Sequence, residues 1–304
     1  MSSVQPTEAP ETLEIRTRDG EALGATLAEP RHRRIVGTAI FAHPMFANKS
    51  VFARPGGQGV GALFLEAGWR TLAFDFRGHG DSTSQGKRRT PGERPWTYDD
   101  LVQVDLPAVV SSARTRWPRS RLVVVGHSLG GHVALAAQGA GLIAADALVV
   151  AAANVWMRHL EPSRRVWLMK IATIISMAAL AKRHRYFPAR ALRLGSDDEA
   201  APYVEDLARF ARRGRWTSRD HAYDYEAGLA SIVAPTFALT SSGDGLFCRP
   251  ESSKRMLATL RACTHRRIAA MDEGSPAPGH MEMLTDARCR GPWRGVLSWL
   301  AENG

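Results

Sequence analysis

The run Leu122-Val123-Val124-Val125 leads directly into Gly126-His127-Ser128-Leu129-Gly130-Gly131 and then into an alanine-rich segment of helical pattern. Strand, sharp turn and helix therefore meet at one serine. Such a turn strains the serine backbone, and glycines stand two places to either side because a side chain there would strike neighbouring backbone. The chemistry available to this serine is nucleophilic attack on a carbonyl. The N–H of Leu129 at the helix start lies where the resulting oxyanion would form. A bare G-x-S-x-G arises often by chance, and the bland alternative is a glycine-rich turn before a helix; the flanking strand and helix make this one informative.

A serine hydroxyl is a poor nucleophile at neutral pH without a base, and the base needs a carboxylate to orient it. An elbow serine is served by an acid and then a histidine further along the chain, both at strand ends. Asp244 lies in the turn Ser241-Ser242-Gly243-Asp244-Gly245, just after the apolar run at 235–240. Beyond it stand two histidines, His265 and His280. His265 opens the strand-like run at 266–271, the wrong edge for the chemistry, whereas His280 closes the loop that follows that run. The candidate catalytic set is Ser128, Asp244 and His280, with a turn aspartate and a loop histidine as the alternatives for the last two. A second oxyanion donor is expected from the loop His43-Pro44-Met45-Phe46. Pro44 has no N–H but stiffens the turn, so the Met45 N–H is the candidate.

Metal chemistry is poorly supported. His127 and His132 are five positions apart, about 140° on a helix, and do not share a face. His43 and His79 could approach across the top of a sheet, where such histidines usually act as hydrogen-bonded scaffolding. No cofactor and no metal are expected.

Several elements must position these residues. Alternation around Asp19-Gly20 over 12–29 predicts an opening hairpin. Apolar runs at 35–42, 71–76, 122–125, 147–152, 235–240 and 266–271 predict buried strands. Segments of helical pattern at 59–67, 98–116, 130–138, 251–260 and 294–301 alternate with them. The second of these helices opens after Thr97 with Asp99 and Asp100 in its first turn, where carboxylates favour the positive end of the helix dipole. The expectation is an α/β fold with a mostly parallel central sheet, helices on both faces and a helical cap. Its divisions are a tail at 1–11, a core at 12–153 and 226–304, and a cap at 154–225, where the strand pattern lapses.

Within that lapse an apolar stretch runs from Val166 to Ala181. Interrupted by Lys170, it is too short for a membrane span, which needs about 20 apolar residues. It reads as a helix packed on the core or, more sharply, as a lid that lines an acyl pocket or touches lipid, with Lys182-Arg183-His184-Arg185 meeting anionic headgroups.

The chain has 304 residues, 44% hydrophobic and 23% charged, which is ordinary globular composition. Its net charge of +10 is scattered rather than gathered in one tail, and no zinc-finger or RNA-binding signature accompanies it, so nucleic acid is not an expected partner. Three cysteines without a CxxC pair suit a reducing compartment. The first 14 residues have neither a basic start nor an apolar run, so a cytoplasmic location is the default expectation.

With these residues placed, the chain resembles the α/β-hydrolase superfamily over nearly its whole length. The likeness rests on His43-Pro44-Met45, on Asp75-Phe76-Arg77-Gly78-His79-Gly80-Asp81-Ser82, on the serine elbow, and on the Asp244 and His280 loops. It is most similar to capped serine hydrolases related to monoglyceride lipases and to uncharacterised bacterial hydrolases. One departure is His43-Pro44 where many relatives carry His-Gly. Dehalogenase and epoxide-hydrolase relatives use an aspartate at the nucleophile position, and Ser128 argues against both. The resemblance implies cleavage of a small-molecule ester or thioester. Transfer of the acyl group to another acceptor, and a ligand-binding protein that keeps the fold without turnover, stay open beside it. So do weak contact with an anionic membrane surface and the oligomeric state.

Overall fold

The computed structural model describes residues 10–31, 33–53, 59–82, 95–268 and 275–303. Most of the tail, the end of the strand-like run at 269–271 and Gly274 of the following loop lie outside the described residues. Strands β1 (Glu11–Arg16) and β2 (Ala22–Ala28) form the expected antiparallel hairpin, Arg16 facing Ala22 across a turn in which Gly20 takes φ 88°. Then come β3 (Gly37–Ala42), β4 (Trp69–Phe74), β5 (Leu122–His127), β6 (Ala147–Ala151), β9 (Thr236–Ser241) and β10 (Cys263–Ile268), with a two-stranded ribbon of β7 (Tyr186–Phe187) and β8 (Glu199–Ala200) set apart. The main sheet runs in the order β1-β2-β4-β3-β5-β6-β9-β10 and is parallel from β4 onward. Val123, Val124 and Val125 are all buried, as a central strand covered on both faces requires.

One face is covered by α1 (Val60–Glu66) and α10 (Arg290–Glu302), where Phe64 packs edge-on against Trp293. The other carries α3 (Leu106–Arg116) and α4 (Leu129–Gly139), preceded by the short α2 (Tyr98–Asp100). The helix expected over 98–116 is interrupted by a wider π turn at Leu101–Asp105. Pro107 has no N–H to bond back along the helix, so the ladder is free to loosen there. The turn carries the buried Asp105 carboxylate, which accepts from the Arg77 N–H at 3.0 Å and from its Nε at 2.8 Å. Asp99 and Asp100 lie in the first turn as expected, and Asp100 further trades hydrogen bonds with the N-cap Thr97 in a capping box.

Strand β4 sits two residues earlier than the apolar run suggested. Arg70, polar but buried, belongs to it because its guanidinium reaches Glu29 at 2.6 Å and lies over the Trp117 ring at 4.1 Å. Between β6 and β9 the chain passes through α5 (Arg164–His184), the β7–β8 ribbon, α6 (Ala201–Arg213) and α7 (Tyr225–Gly228), and α8 (Pro250–Met256) and α9 (Glu282–Thr285) complete the helices. Lys170 does not merely interrupt α5. It is fully buried and pairs with Glu161 at 2.8 Å, and Glu161 also receives Arg249 at 2.8 Å and Ser252 at 2.9 Å. None of the described helices is long and apolar enough to cross a membrane.

Candidate active site

The carboxyl ends of β3, β5, β9 and β10 lie along one edge of the sheet, with Ala42 opposite Gly126, His127 opposite Ala151 and Ser241 opposite Ile268. In open α/β sheets this edge is where ligands bind. Ser128 follows β5 there with φ 53° and ψ −113°, a conformation that non-glycine residues seldom adopt. The spacing of its glycines has the steric cause expected. A Cβ on Gly130 would stand 2.1 Å from the Ala42 carbonyl oxygen, and one on Gly126 would stand 2.4 Å from the Gly130 backbone. The Gly130 N–H also donates to the His43 carbonyl at 3.2 Å, joining the elbow to the loop after β3.

Asp244 and His280, 36 residues apart, are brought together, His280 Nδ1 donating to Asp244 Oδ2 at 2.5 Å. Asp244 is buried and also accepts from the backbone N–H groups of Phe247 at 2.9 Å and Cys248 at 3.0 Å. Burial would raise its pKa, but the His280 hydrogen bond and charge and these two N–H groups together hold it below the ordinary carboxylate value. The His280 loop is tied to the sheet edge by Ser241, whose hydroxyl donates to the Pro278 carbonyl at 2.6 Å.

His127, immediately before Ser128, is joined to the His280 loop. Its Nε2–H donates to the His280 carbonyl at 3.0 Å, and the two rings lie edge to face at 4.9 Å. Burial, reinforced by the neighbouring His280, lowers its pKa to about 3, so it is a neutral, fixed-tautomer donor. Sequence reasoning weighed His127 only as a metal ligand; its place one residue from the serine, at the strand's last position, was the signal for a supporting role. No hydrogen bond joins the Ser128 hydroxyl to the His280 ring among the described residues, and no cluster of histidine, cysteine or acidic side chains there could hold a metal ion. Nor does the Met45 or the Leu129 N–H donate to a protein acceptor among them. His265 lies inside β10, away from the edge. His43 and His79 do approach, with ring centroids 4.9 Å apart, and both are scaffolding: His43 Nδ1 donates to the Pro44 carbonyl while its Nε2 accepts from Phe76.

Sheet order, elbow and strand-end loops together define an α/β-hydrolase fold. The chain belongs to the family described as serine aminopeptidase, S33, whose profile matches residues 57–274. Among solved structures, the Pyrococcus furiosus esterase is similar at 19% identity and TM-score 0.63, covering 99% of this chain and 95% of that one. Est1E from Butyrivibrio proteoclasticus, solved with ferulic acid, gives 16% identity and TM-score 0.64 over 96% and 98% of the two chains. A monoacylglycerol lipase from Paleococcus ferrophilus gives 16% identity and TM-score 0.56 over 97% and 100%. No curated protein matches the sequence.

Proposed function

We propose that this protein cleaves carboxylic esters or thioesters through an acyl-enzyme on Ser128. The observation that carries the proposal is the Asp244–His280 hydrogen bond held beside a serine whose backbone is turned out at φ 53°. In this reading Ser128 attacks the carbonyl, His280 takes its proton and later returns it to the leaving group, and Asp244 steadies the imidazolium. The unbonded N–H groups of Met45 and Leu129 receive the oxyanion. Water then repeats the sequence on the acyl-enzyme. Residues 154–225 serve as a cap over the core of 12–153 and 226–304. An apolar acyl group suits the surroundings of His280, since the Phe247 ring lies 5.0 Å from its ring and Trp156 is tied to Phe247 by a 3.0 Å hydrogen bond. The names of the structural relatives, esterases and a monoacylglycerol lipase, point the same way.

The test is hydrolysis of p-nitrophenyl esters of graded chain length together with fluorophosphonate labelling. Ser128→Ala is expected to lose both, and Asp244→Asn to keep its fold while turnover drops by about 10³–10⁴. Stoichiometric labelling of the Ser128→Ala protein would refute the nucleophile.

A second surface reading has its own observation. On α5, Leu168, Met169 and Ile175 are exposed, and the exposed Lys182, Arg183 and Arg185 follow at its end. We propose weak contact of this face with anionic membrane surfaces.

A further inference from the structure

Phe46, the residue after Met45, is held through both of its backbone polar groups by residues from far along the chain. The Phe46 N–H donates to Glu199 Oε1 at 2.8 Å, and the Phe46 carbonyl accepts from the N–H groups of Ser196 at 2.8 Å and Asp197 at 3.2 Å. Phe46 stands at φ 63°, a left-handed conformation that a phenylalanine does not adopt unaided. Its ring stacks on Phe187 of β7 with centroids 5.4 Å apart. The two peptide units that flank the Phe46 Cα are therefore both pinned by the ribbon region between α5 and α6, in a conformation the local sequence disfavours.

Glu199 is itself fixed. It has no solvent exposure, and its Oε1 receives His79 Nε2 at 3.2 Å. His79 Nδ1 donates to the Arg77 carbonyl at 3.0 Å, so both ring nitrogens act as donors and the ring is an imidazolium. Burial opposes that charge, but the Glu199 carboxylate outweighs it and raises the pKa to about 9. Beside it, Asp197 accepts from the Gly80 N–H at 3.0 Å and from the Asn48 side chain at 2.8 Å. The loops after β3 and β4 are thus joined to the same two acidic residues.

We propose that Glu199 is a positioning residue for the oxyanion site: by fixing the Phe46 peptide it sets the direction of the Met45 N–H. This rests on the reading of Met45 as an oxyanion donor. The segment between β6 and β9 is then part of the machinery of the reaction as well as a wall beside it.

The test compares a p-nitrophenyl ester with its thionoester of equal chain length in the wild-type protein, Glu199→Ala, Glu199→Gln and Glu199→Asp. In the thionoester the developing charge falls on sulfur, a larger and weaker acceptor, so donors placed for oxygen discriminate against it. Removing a whole oxyanion donor costs about 10²–10³ in turnover, and a misaimed one costs a part of that. Glu199→Ala is expected to lower kcat for the oxygen ester about 10- to 100-fold with KM nearly unchanged, and to cut the oxygen-to-sulfur rate ratio roughly tenfold. Glu199→Gln keeps an oxygen acceptor for Phe46 and is expected to retain most of the ratio. Glu199→Asp keeps the charge but withdraws the oxygen by one methylene, and its ratio is expected to fall as the alanine variant's does, which decides the matter should Glu199→Ala not fold. A loss equal for both esters, or a wild-type ratio in the aspartate variant, overturns the proposal. Wild-type protein that hydrolyses neither ester and takes up no fluorophosphonate at Ser128 overturns the underlying reading with it.

Discussion

Acidification from pH 7 to pH 5 is expected to remove about half of the folding stability, through three histidines buried in neutral form. Burial lowers His43, His127 and His132 to about 3 each, whereas an unfolded histidine titrates near 6.5. With the folded value depressed, the stabilisation is fully present above the unfolded pKa and is lost as pH falls from about 6.5 toward 3. By pH 5 each histidine has given up about 2 kcal/mol relative to pH 7, or about 6 kcal/mol for the three. Asp75 and Asp99, both raised by burial, act in the opposite sense, and two further groups do so more strongly. His79, raised to about 9, stabilises most below 6.5, and burial raises Asp105 to about 6 against the pull of Arg77, so its carboxylate gains stability as it protonates. Each returns about 1 kcal/mol over this interval, leaving a net loss of roughly 4 kcal/mol against a typical total of 5–15. Urea unfolding followed by tryptophan fluorescence at pH 7, 6 and 5 measures it as a falling midpoint at constant slope. His132 isolates one contribution: its Nδ1 lies 3.0 Å from the Tyr98 hydroxyl, a contact the amide of His132→Asn can imitate, and that variant should lose about 2 kcal/mol less over the same range. A midpoint at pH 5 equal to or above that at pH 7 would refute the reasoning.

Two further outcomes are expected. Lys170→Met leaves the Glu161 carboxylate buried with Arg249 and Ser252 but without its fully buried cation, which should cost about 3 kcal/mol in urea unfolding; a loss below about 0.5 kcal/mol would show that the pair contributes nothing net. Sedimentation with vesicles of anionic lipid should be weak, salt-sensitive and abolished by Leu168→Glu with Ile175→Glu, whereas equal binding by that double variant would place any contact elsewhere.

The elbow was legible because its cause is local: the Gly126 and Gly130 contacts that forbid side chains involve residues within one turn or on the adjoining strand. Asp244 and His280 could be found because a required chain order and two strand ends leave few candidates. The register of β4 was harder to read, since Arg70 belongs to the strand only by virtue of Glu29 and Trp117, which no pattern in its own neighbourhood announces. Lys170 looked like an interruption for the same reason, its partners Glu161 and Arg249 being brought to it by the fold. Glu199 is the extreme case. It stands in the acidic run Asp197-Asp198-Glu199, while its partners Phe46 and His79 are 153 and 120 residues away. Buried ion pairs of long sequence separation leave no periodicity for a reader to detect.

The attachment of the 154–225 segment at several separate places limits how the molecule can breathe. Swinging that segment away from the sheet would part Glu161 from Arg249 and Ser252 on one side and Glu199 from His79 and Phe46 on the other, while Lys170, in the same segment, would move with Glu161. Breaking a buried ion pair costs about 3 kcal/mol, so the opened form would be rare. A molecule fastened in this way is expected to choose among esters by the shape it holds at rest, with little contribution from a hinged closure.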